Sequence, residues 1–426
     1  MDKYKQGEFF SPELLAQIRS RLDYVDYDPY AGKRIYFENA GGSLRLKKVS
    51  EFIAKETAFP DSPNRPSKAS AHLKEMMVKG VEDTRLFLGA KDSGIVFSSQ
   101  TASRVLYHMT QAIIFGVEGS NVVTTDLEHP ASYDSAKYYA GIAGKELRVA
   151  KTYPQTGTVK PEEILKHIDK DTCLLSFIYA SNITGVLCDA KTIIEEARKI
   201  KPDLYILLDL TQHVPHGPTD VLELGVDAVG FTPYKMLGKR GQGIGWVSDR
   251  CARLPHERTL ERDITDWEVG SAEPAAWGCW SVVVDYLDWL GESLGAGADR
   301  RERILTAMEG IALHERAILH RMLNGSDKAK GLKNIKGAKT HFIGEDLTNR
   351  DCILPITFAN KSGSEAVKEY IDKGIVVFDR AVTNILSGRQ LKALGLDSLV
   401  RISPMHFNTA DEVDEFLKAT MEIANG

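Results

Sequence analysis

An aspartate closes one apolar run of this sequence, LYILLD (204–209), and a lysine follows the next, DAVGF leading into TPYK (227–235). A carboxylate at the end of a buried strand is costly unless a cation or a set of donors satisfies it. Lysines are rarely buried. One held in a crevice near Asp209 is a candidate for a depressed pKa and for Schiff-base chemistry. The plain alternative for Lys235 is a surface turn, since the run behind it holds Gly238, Gly241, Gly243 and Gly245. Three more polar clusters follow apolar runs. Ser98, Ser99, Gln100 and Thr101 open the helical stretch ASRVLYHMTQAII, where free backbone N–H groups and hydroxyls suit a phosphate. The same residues also make an ordinary N-cap. His129 stands in DLEHPA (126–131), and Asn182 and Gly185 in SNITG (181–185). The first reads equally as a structural histidine and the second as a turn.

The elements that must hold these groups share one pattern. Residues 94–250 alternate short apolar runs with amphipathic stretches. The runs are GIVF (94–97), NVVTT (121–125), CLLSFIYA (173–180), LYILLD and DAVGF, and KTIIEEARKI (191–200) is a stretch of helical period. Such alternation predicts an α/β unit with a mostly parallel sheet covered on both faces. Ligands of such sheets bind beyond the carboxyl ends of the strands, where all these clusters fall. A phosphate cradle, an aromatic ring, an acid and a lysine at that edge are what pyridoxal 5'-phosphate needs. The lysine forms the aldimine, and the acid keeps the pyridine nitrogen protonated so that the ring acts as an electron sink.

The second half changes character. Residues 277–324 read as long helices, followed by the strand candidates ILPITFA (353–359), GIVVF (374–378) and VRISP (400–404) and a closing helix from Asp411. This is the pattern of a smaller α+β domain. The expected division is an N-terminal segment 1–30 packing with the small domain, a large domain over 31–285 and a small C-terminal domain over 286–426.

With these motifs in order, the sequence resembles the class V aminotransferase and cysteine-desulfurase-like group of fold-type I pyridoxal-phosphate enzymes, from about Tyr36 to the C-terminus. The markers are YFENAGGS (36–43), SSQTAS (98–103), DLEHPA, ASNITG (180–185), LLDLTQHVPH (207–216), TPYKMLG (232–238) and VRISPMHFNTADEVDEFL (400–417). The resemblance implies Lys235 as the Schiff-base lysine, Asp209 against the pyridinium nitrogen, Gln212 at the phenolic oxygen and His129 on the ring face. It implies Gln100 and Thr101 at the phosphate, with Thr232 and Tyr234 on its other side. Ser271 would reach the phosphate from a neighbouring subunit, which calls for a homodimer. Asn182 and Arg401 would bind the substrate α-carboxylate, a group suited to a bidentate arginine, with Ala40 and Gly41 lining the substrate side.

The departures bear on the reaction. Desulfurases of this group carry a nucleophilic cysteine on a loop between the last two small-domain strands, and the stretch DRAVTNILSGRQLKALGLDS (379–398) holds none. Tyr234 precedes the lysine and His213 follows Gln212, which is expected to put polar aromatic groups near the ring. The resemblance therefore implies a lyase acting on a small amino acid, by β-elimination or Cα–Cβ or Cβ–X cleavage, through an external aldimine and a quinonoid. An aminotransferase or an epimerase on the same scaffold is the alternative. A non-catalytic binding relative would show loss of Lys235 or Asp209, and both are present. The composition agrees with a globular enzyme: 426 residues, 43% hydrophobic, 27% charged, with a net charge of −5. No basic excess points to nucleic acid. Five scattered cysteines form no C-x-x-C pair, which argues against a disulfide framework or a metal site. The charged N-terminus lacks an apolar signal core and no apolar run spans a bilayer, so a cytoplasmic location is expected.

Overall fold

The computed structural model describes residues 3–60 and 62–426. Its central sheet has seven strands: β1 (Ile95–Ser99), β2 (Asn121–Thr125), β3 (Glu146–Ala150), β4 (Thr172–Ile178), β5 (Tyr205–Asp209), β6 (Ala228–Phe231) and β7 (Gly243–Val247). They lie in the order β1-β7-β6-β5-β4-β2-β3. All pairings are parallel except those of β7, which runs antiparallel to both β1 and β6. The uninterrupted apolar runs have a simple cause. Along β5, Ile206 and Leu208 join one buried cluster and Leu207 another on the opposite face. Both faces are covered, so the positions before its closing Asp209 are apolar or aromatic.

Helices α1 (Lys68–Leu88), α2 (Ala102–Gly116) and α3 (Pro130–Ile142) supply part of that cover. Val105, Leu106 and Met109 of α2 and Ala136 and Ala140 of α3 pack on one face. Trp277, Trp280 and Val284 of α4 (Pro274–Ser293) fill the other. Helix α5 (Arg300–Asn324) is shared between two cores. Its Ile304, Met308 and Ile311 belong to the large cluster, while Ile318, Met322 and Leu323 belong to the small one. The changeover between cores thus falls inside a helix, between Ile311 and Ile318, later in the chain than the patterning alone suggested.

The small core lies against a four-stranded antiparallel sheet of β8 (Ala338–Thr340), β9 (Leu354–Phe358), β10 (Phe378–Ala381) and β11 (Ser398–Ile402), in the order β8-β9-β11-β10. The run GIVVF is divided between two sheets. Ile375–Val376 pairs in parallel with Ile35–Tyr36, and Phe378 starts β10. Near the N-terminus, Ile18 and Leu22 enter the large core, Phe9 packs on the small one, and Phe10 stacks on His314 of α5 with ring centroids 4.6 Å apart.

The Gly-rich run behind Lys235 is only partly a loop, which corrects its reading as a surface turn. Gly243 and Gly245 lie within β7. A Cβ on Gly243 would stand 2.2 Å from the Thr101 carbonyl carbon, and one on Gly245 would stand 2.5 Å from the Phe97 ring. These glycines serve close approach. They let β7 lie against the turn that starts α2.

Candidate active site

A cavity of about 310 Å³ opens at the carboxyl ends of β1, β4, β5 and β6. Gln100, Thr101, His129, Asn182, Asp209, Gln212, Thr232, Tyr234 and Lys235 all line it. Segments more than a hundred residues apart in sequence converge there because each follows a strand of one sheet. Arg401, Ala40, Gly41 and Ser271 stand outside the lining. Ser271 is exposed and lines an adjoining cavity that shares Gln100, Gly241 and Gln242 with the first.

Strand β5 ends on Asp209, which is 2% exposed. Its Oδ2 accepts from the Ser132 hydroxyl at 2.9 Å and its Oδ1 from the Thr211 N–H at 2.9 Å. Two donors therefore hold the carboxylate in place. Lys235 follows β6 in a short 3-10 turn, Pro233–Lys235, and is buried. Its Nζ donates to Gln212 Oε1 at 3.2 Å. Burial, with the nearby Arg401 and Arg380, lowers its pKa to about 7, against the opposing pull of Asp209 and Glu38. The amine is thus substantially uncharged at neutral pH, the form that attacks a carbonyl.

His129 caps α3: its Nδ1 accepts from the Ala131 N–H at 3.2 Å, so that nitrogen carries no proton. Burial lowers its pKa to about 4, and the ring is neutral. At the other end of the cavity, Thr101 Oγ1 accepts from Arg104 N–H at 3.2 Å and caps α2, whose first turn presents backbone N–H groups to the opening. Thr232 is turned inward, its hydroxyl donating to the Gln242 carbonyl at 2.8 Å. Tyr234 carries the Arg240 guanidinium over its ring at 3.8 Å.

Arg401 is 1% exposed and comes from β11 of the other sheet. Its Nη1 donates to the Asn182 carbonyl at 2.9 Å and its Nη2 to Glu38 Oε1 at 2.6 Å. Asn182 is fixed in turn by Gln390, whose Nε2 donates to Asn182 Oδ1 at 2.8 Å. Ala40 is buried with its N–H on the Ser403 hydroxyl, and Gly41 sits against Glu38 and Arg401.

One placement needs correcting. His213 does not face the cavity. Its ring lies 4.4 Å from that of Tyr179 and its Nδ1 is 3.1 Å from Asp351 Oδ1. His213 and Gln212 are adjacent in a tight turn after β5, so their side chains diverge, and only Gln212 points at Lys235. Sequence reasoning also missed several members. Ser132 lies four residues beyond the end of the DLE segment (126–128) and reveals itself only when α3 folds back on Asp209. His216, the last residue of the LLDLTQHVPH marker, has no role in the sequence reading; it stands 3.4 Å from Gln212 Nε2 and 2.7 Å from Glu315 Oε2. Gln242 lines the cavity with neither amide atom partnered, and the Thr211 hydroxyl is also buried and unpartnered.

These orphaned polar atoms, a lysine of depressed pKa, a pinned carboxylate, a neutral imidazole and a helix start fit pyridoxal 5'-phosphate. A mostly parallel α/β sheet with that set at its carboxyl edge defines an enzyme of the fold-type I pyridoxal-phosphate class. Comparison with known proteins agrees. The family model described as Aminotransferase class-V matches residues 35–274, and the chain belongs to that family, whose members use pyridoxal 5'-phosphate. It is 25% identical over 444 residues to a probable cysteine desulfurase of Borreliella burgdorferi, covering 94% of this chain and 96% of that one. It is 24% identical to probable cysteine desulfurase 1 of Mycobacterium leprae, covering 92% of this chain and 62% of that longer protein. The apo structure of a cysteine desulfurase from Thermococcus onnurineus NA1 superposes with a TM-score of 0.80 at 18% identity, covering 99% of this chain and all of that one. Among the described residues, no helix is long and apolar enough to cross a membrane.

Proposed function

We propose that this enzyme is a lyase for a small α-amino acid, cleaving a Cα–Cβ or Cβ–X bond without an enzyme-bound persulfide. The observation that carries this reading is the placement of the thiols. All five cysteines are buried and none lines the cavity. Burial raises the pKa of each, to about 12 for Cys188 and Cys279. A nucleophilic thiol needs the opposite: exposure and a depressed pKa. Cys352, next to β9, has its Sγ on the Glu315 carbonyl at 3.5 Å, inside the small core.

The bound cofactor supplies an electron sink for the carbanion formed when a bond at Cα or beyond is broken. This chain's own residues do the rest. Lys235 would hold the cofactor through Nζ, and as a free amine would take and return the proton at Cα. Asp209, fixed by Ser132 and Thr211, would keep the ring nitrogen protonated. His129, a neutral imidazole, would pack against the ring, and Gln212 would serve the phenolic oxygen. Thr101 and Gln100 would hold the phosphate at the start of α2, together with Thr232 and Tyr234. Arg401 and Asn182, between Gly41 and Gln390, orient the substrate carboxylate and so decide which bond at Cα is aligned for cleavage.

The phosphate end bears on assembly. Gln100, Thr101 and Ser103 are exposed in the single chain, as are Ser271 and Val269, the latter at 63%. A second copy closing over this end, with Ser271 reaching across to the phosphate, makes a homodimer. Incubation with a panel of amino acids, scoring pyruvate or alanine, keto acid, and solvent deuterium at Cα separately, tests the reaction. Pyruvate or alanine without an enzyme persulfide supports the lyase. Stoichiometric keto acid identifies an aminotransferase, and deuterium exchange with inversion an epimerase.

A further inference from the structure

Arg401 meets a carboxylate before any substrate arrives. Glu38 Oε1 lies 2.6 Å from Arg401 Nη2 and 3.7 Å from Arg380 Nη2. The contact is built into the fold. A Cβ at position 41 would stand 2.4 Å from Glu38 Oε1, so glycine there leaves the space through which Glu38 reaches the arginines. It is also incomplete. Arg401 Nε and Glu38 Oε2 are both buried with no hydrogen-bond partner. On the Nε–Nη2 edge of Arg401, the edge that grips a carboxylate bidentately, one donor is taken and one is free.

The charge count follows. Within ion-pair distance two guanidiniums, Arg401 and Arg380, share one carboxylate, so this trio carries a single net positive charge, with Asp379 acting on Arg380 from farther off. Arg389, the other arginine of this loop, is committed to the backbone carbonyls of Asp126 and Glu128 and lies over Tyr133 at 3.9 Å. Arg240 is exposed over Tyr234, where solvent screens it.

We propose that Glu38 determines specificity by substrate charge: it occupies one of the two positive charges at the Arg401–Arg380 seat, so that the site accepts an amino acid with one carboxylate and rejects one with a second anionic group. The proposal rests on the reading of Arg401 as the substrate-carboxylate residue. A monoanion sharing Arg401 with Glu38 leaves the seat neutral. A dianion places two like charges beside Glu38, which is largely withdrawn from solvent at 14% side-chain exposure, so repulsion is stronger there than in bulk water. Removing the Glu38 charge frees Arg380 for the second anionic group.

The test uses holoenzyme and two acids that lack an amine and cannot react, propionate and succinate, with dissociation constants measured by titration calorimetry. The expected result is that Glu38→Gln tightens succinate binding at least tenfold more than it tightens propionate binding. Glu38→Asp keeps the charge and should keep the wild-type ratio, which separates charge from any distortion of the turn. Arg380→Gln added to Glu38→Gln should remove the succinate gain. An unchanged ratio in Glu38→Gln, or the same gain in Glu38→Asp, overturns the proposal while leaving the Arg401 reading intact. Unchanged propionate binding in Arg401→Gln instead overturns the Arg401 reading and the proposal with it.

Discussion

The two sides of the cavity are built differently. On the large-sheet side every reactive group is pinned: Asp209 by Ser132 and Thr211, His129 by the start of α3, Lys235 by Gln212. On the small-sheet side the charged groups themselves, Arg401 and Glu38, each keep a buried polar atom without a partner, whereas on the large-sheet side the unpartnered cavity atoms belong to the uncharged Gln242 and Thr211. Buried groups left unsatisfied cost free energy unless something later completes them. On the proposed reading, the contrast is between chemistry preorganised by a rigid sheet edge and recognition left open for the substrate to complete.

If that contrast holds, the largest effects come from the pinned side. Lys235→Ala should lose roughly 10²–10⁴-fold or more in turnover, the scale of a positioned acid–base group, along with the yellow colour of the bound cofactor. Near-normal spectra and turnover in this variant would place the reactive amine elsewhere. Asp209→Asn should cost roughly 10²–10³-fold in kcat, the scale for one preorganised electrostatic partner. The fold should be little changed, because the amide oxygen still accepts from the Thr211 N–H while its NH2 donates to the Ser132 hydroxyl, which can turn to accept. A kcat within threefold of wild type would remove Asp209 from the chemistry.

The open side should respond in KM. Arg401→Ala should weaken apparent substrate binding by about 2–5 kcal/mol, the cost of leaving a buried charged partner unpaired, with cofactor retained. Arg401→Lys should recover only part, since lysine lacks the planar fork. Equal losses in cofactor binding and in KM would mean that Arg401 supports the fold rather than the substrate.

A smaller and sharper effect is in pH. A protonated amine is not nucleophilic, and Lys235 sheds its proton near pH 7 rather than near the ordinary lysine value of 10.5. Capture of pyridoxal phosphate by cofactor-free protein should therefore accelerate as pH rises through about 7 and level off above it. Acceleration that continues toward pH 10 would contradict the depressed value. The smallest effect is expected from the thiols. Each single Cys→Ala change should leave kcat within about threefold while costing on the order of 1 kcal/mol of stability, as core truncations do. Loss of turnover in one of them, with a persulfide found on that residue by mass spectrometry, would restore a desulfurase mechanism.

The pinned side was far more legible in the sequence than the open one. Asp209 and Lys235 announce themselves because a charged residue ending an apolar run is conspicuous, and a parallel sheet fixes where such ends go. Strand β7 was not legible, since Gly243 and Gly245 look like loop residues until Phe97 and Thr101 are seen pressing on them. Edge strand β3 (ELRVA) was hidden by its charged, half-exposed composition. Glu38 on Arg401 is a contact across 363 residues, and Ser132 on Asp209 one across 77. No local pattern encodes either. His213 misled because adjacency to Gln212 in sequence implies nothing about direction in a turn.

The most direct measurement of the central claim is chemical trapping. Holoenzyme reduced with borohydride, digested and mapped by mass spectrometry should carry the reduced phosphopyridoxyl group on Lys235 alone, among the described residues the one lysine that lines the cavity and hydrogen-bonds Gln212. Label on Lys239, four residues on and ion-paired with Glu273, or on any other lysine would contradict the account at its root.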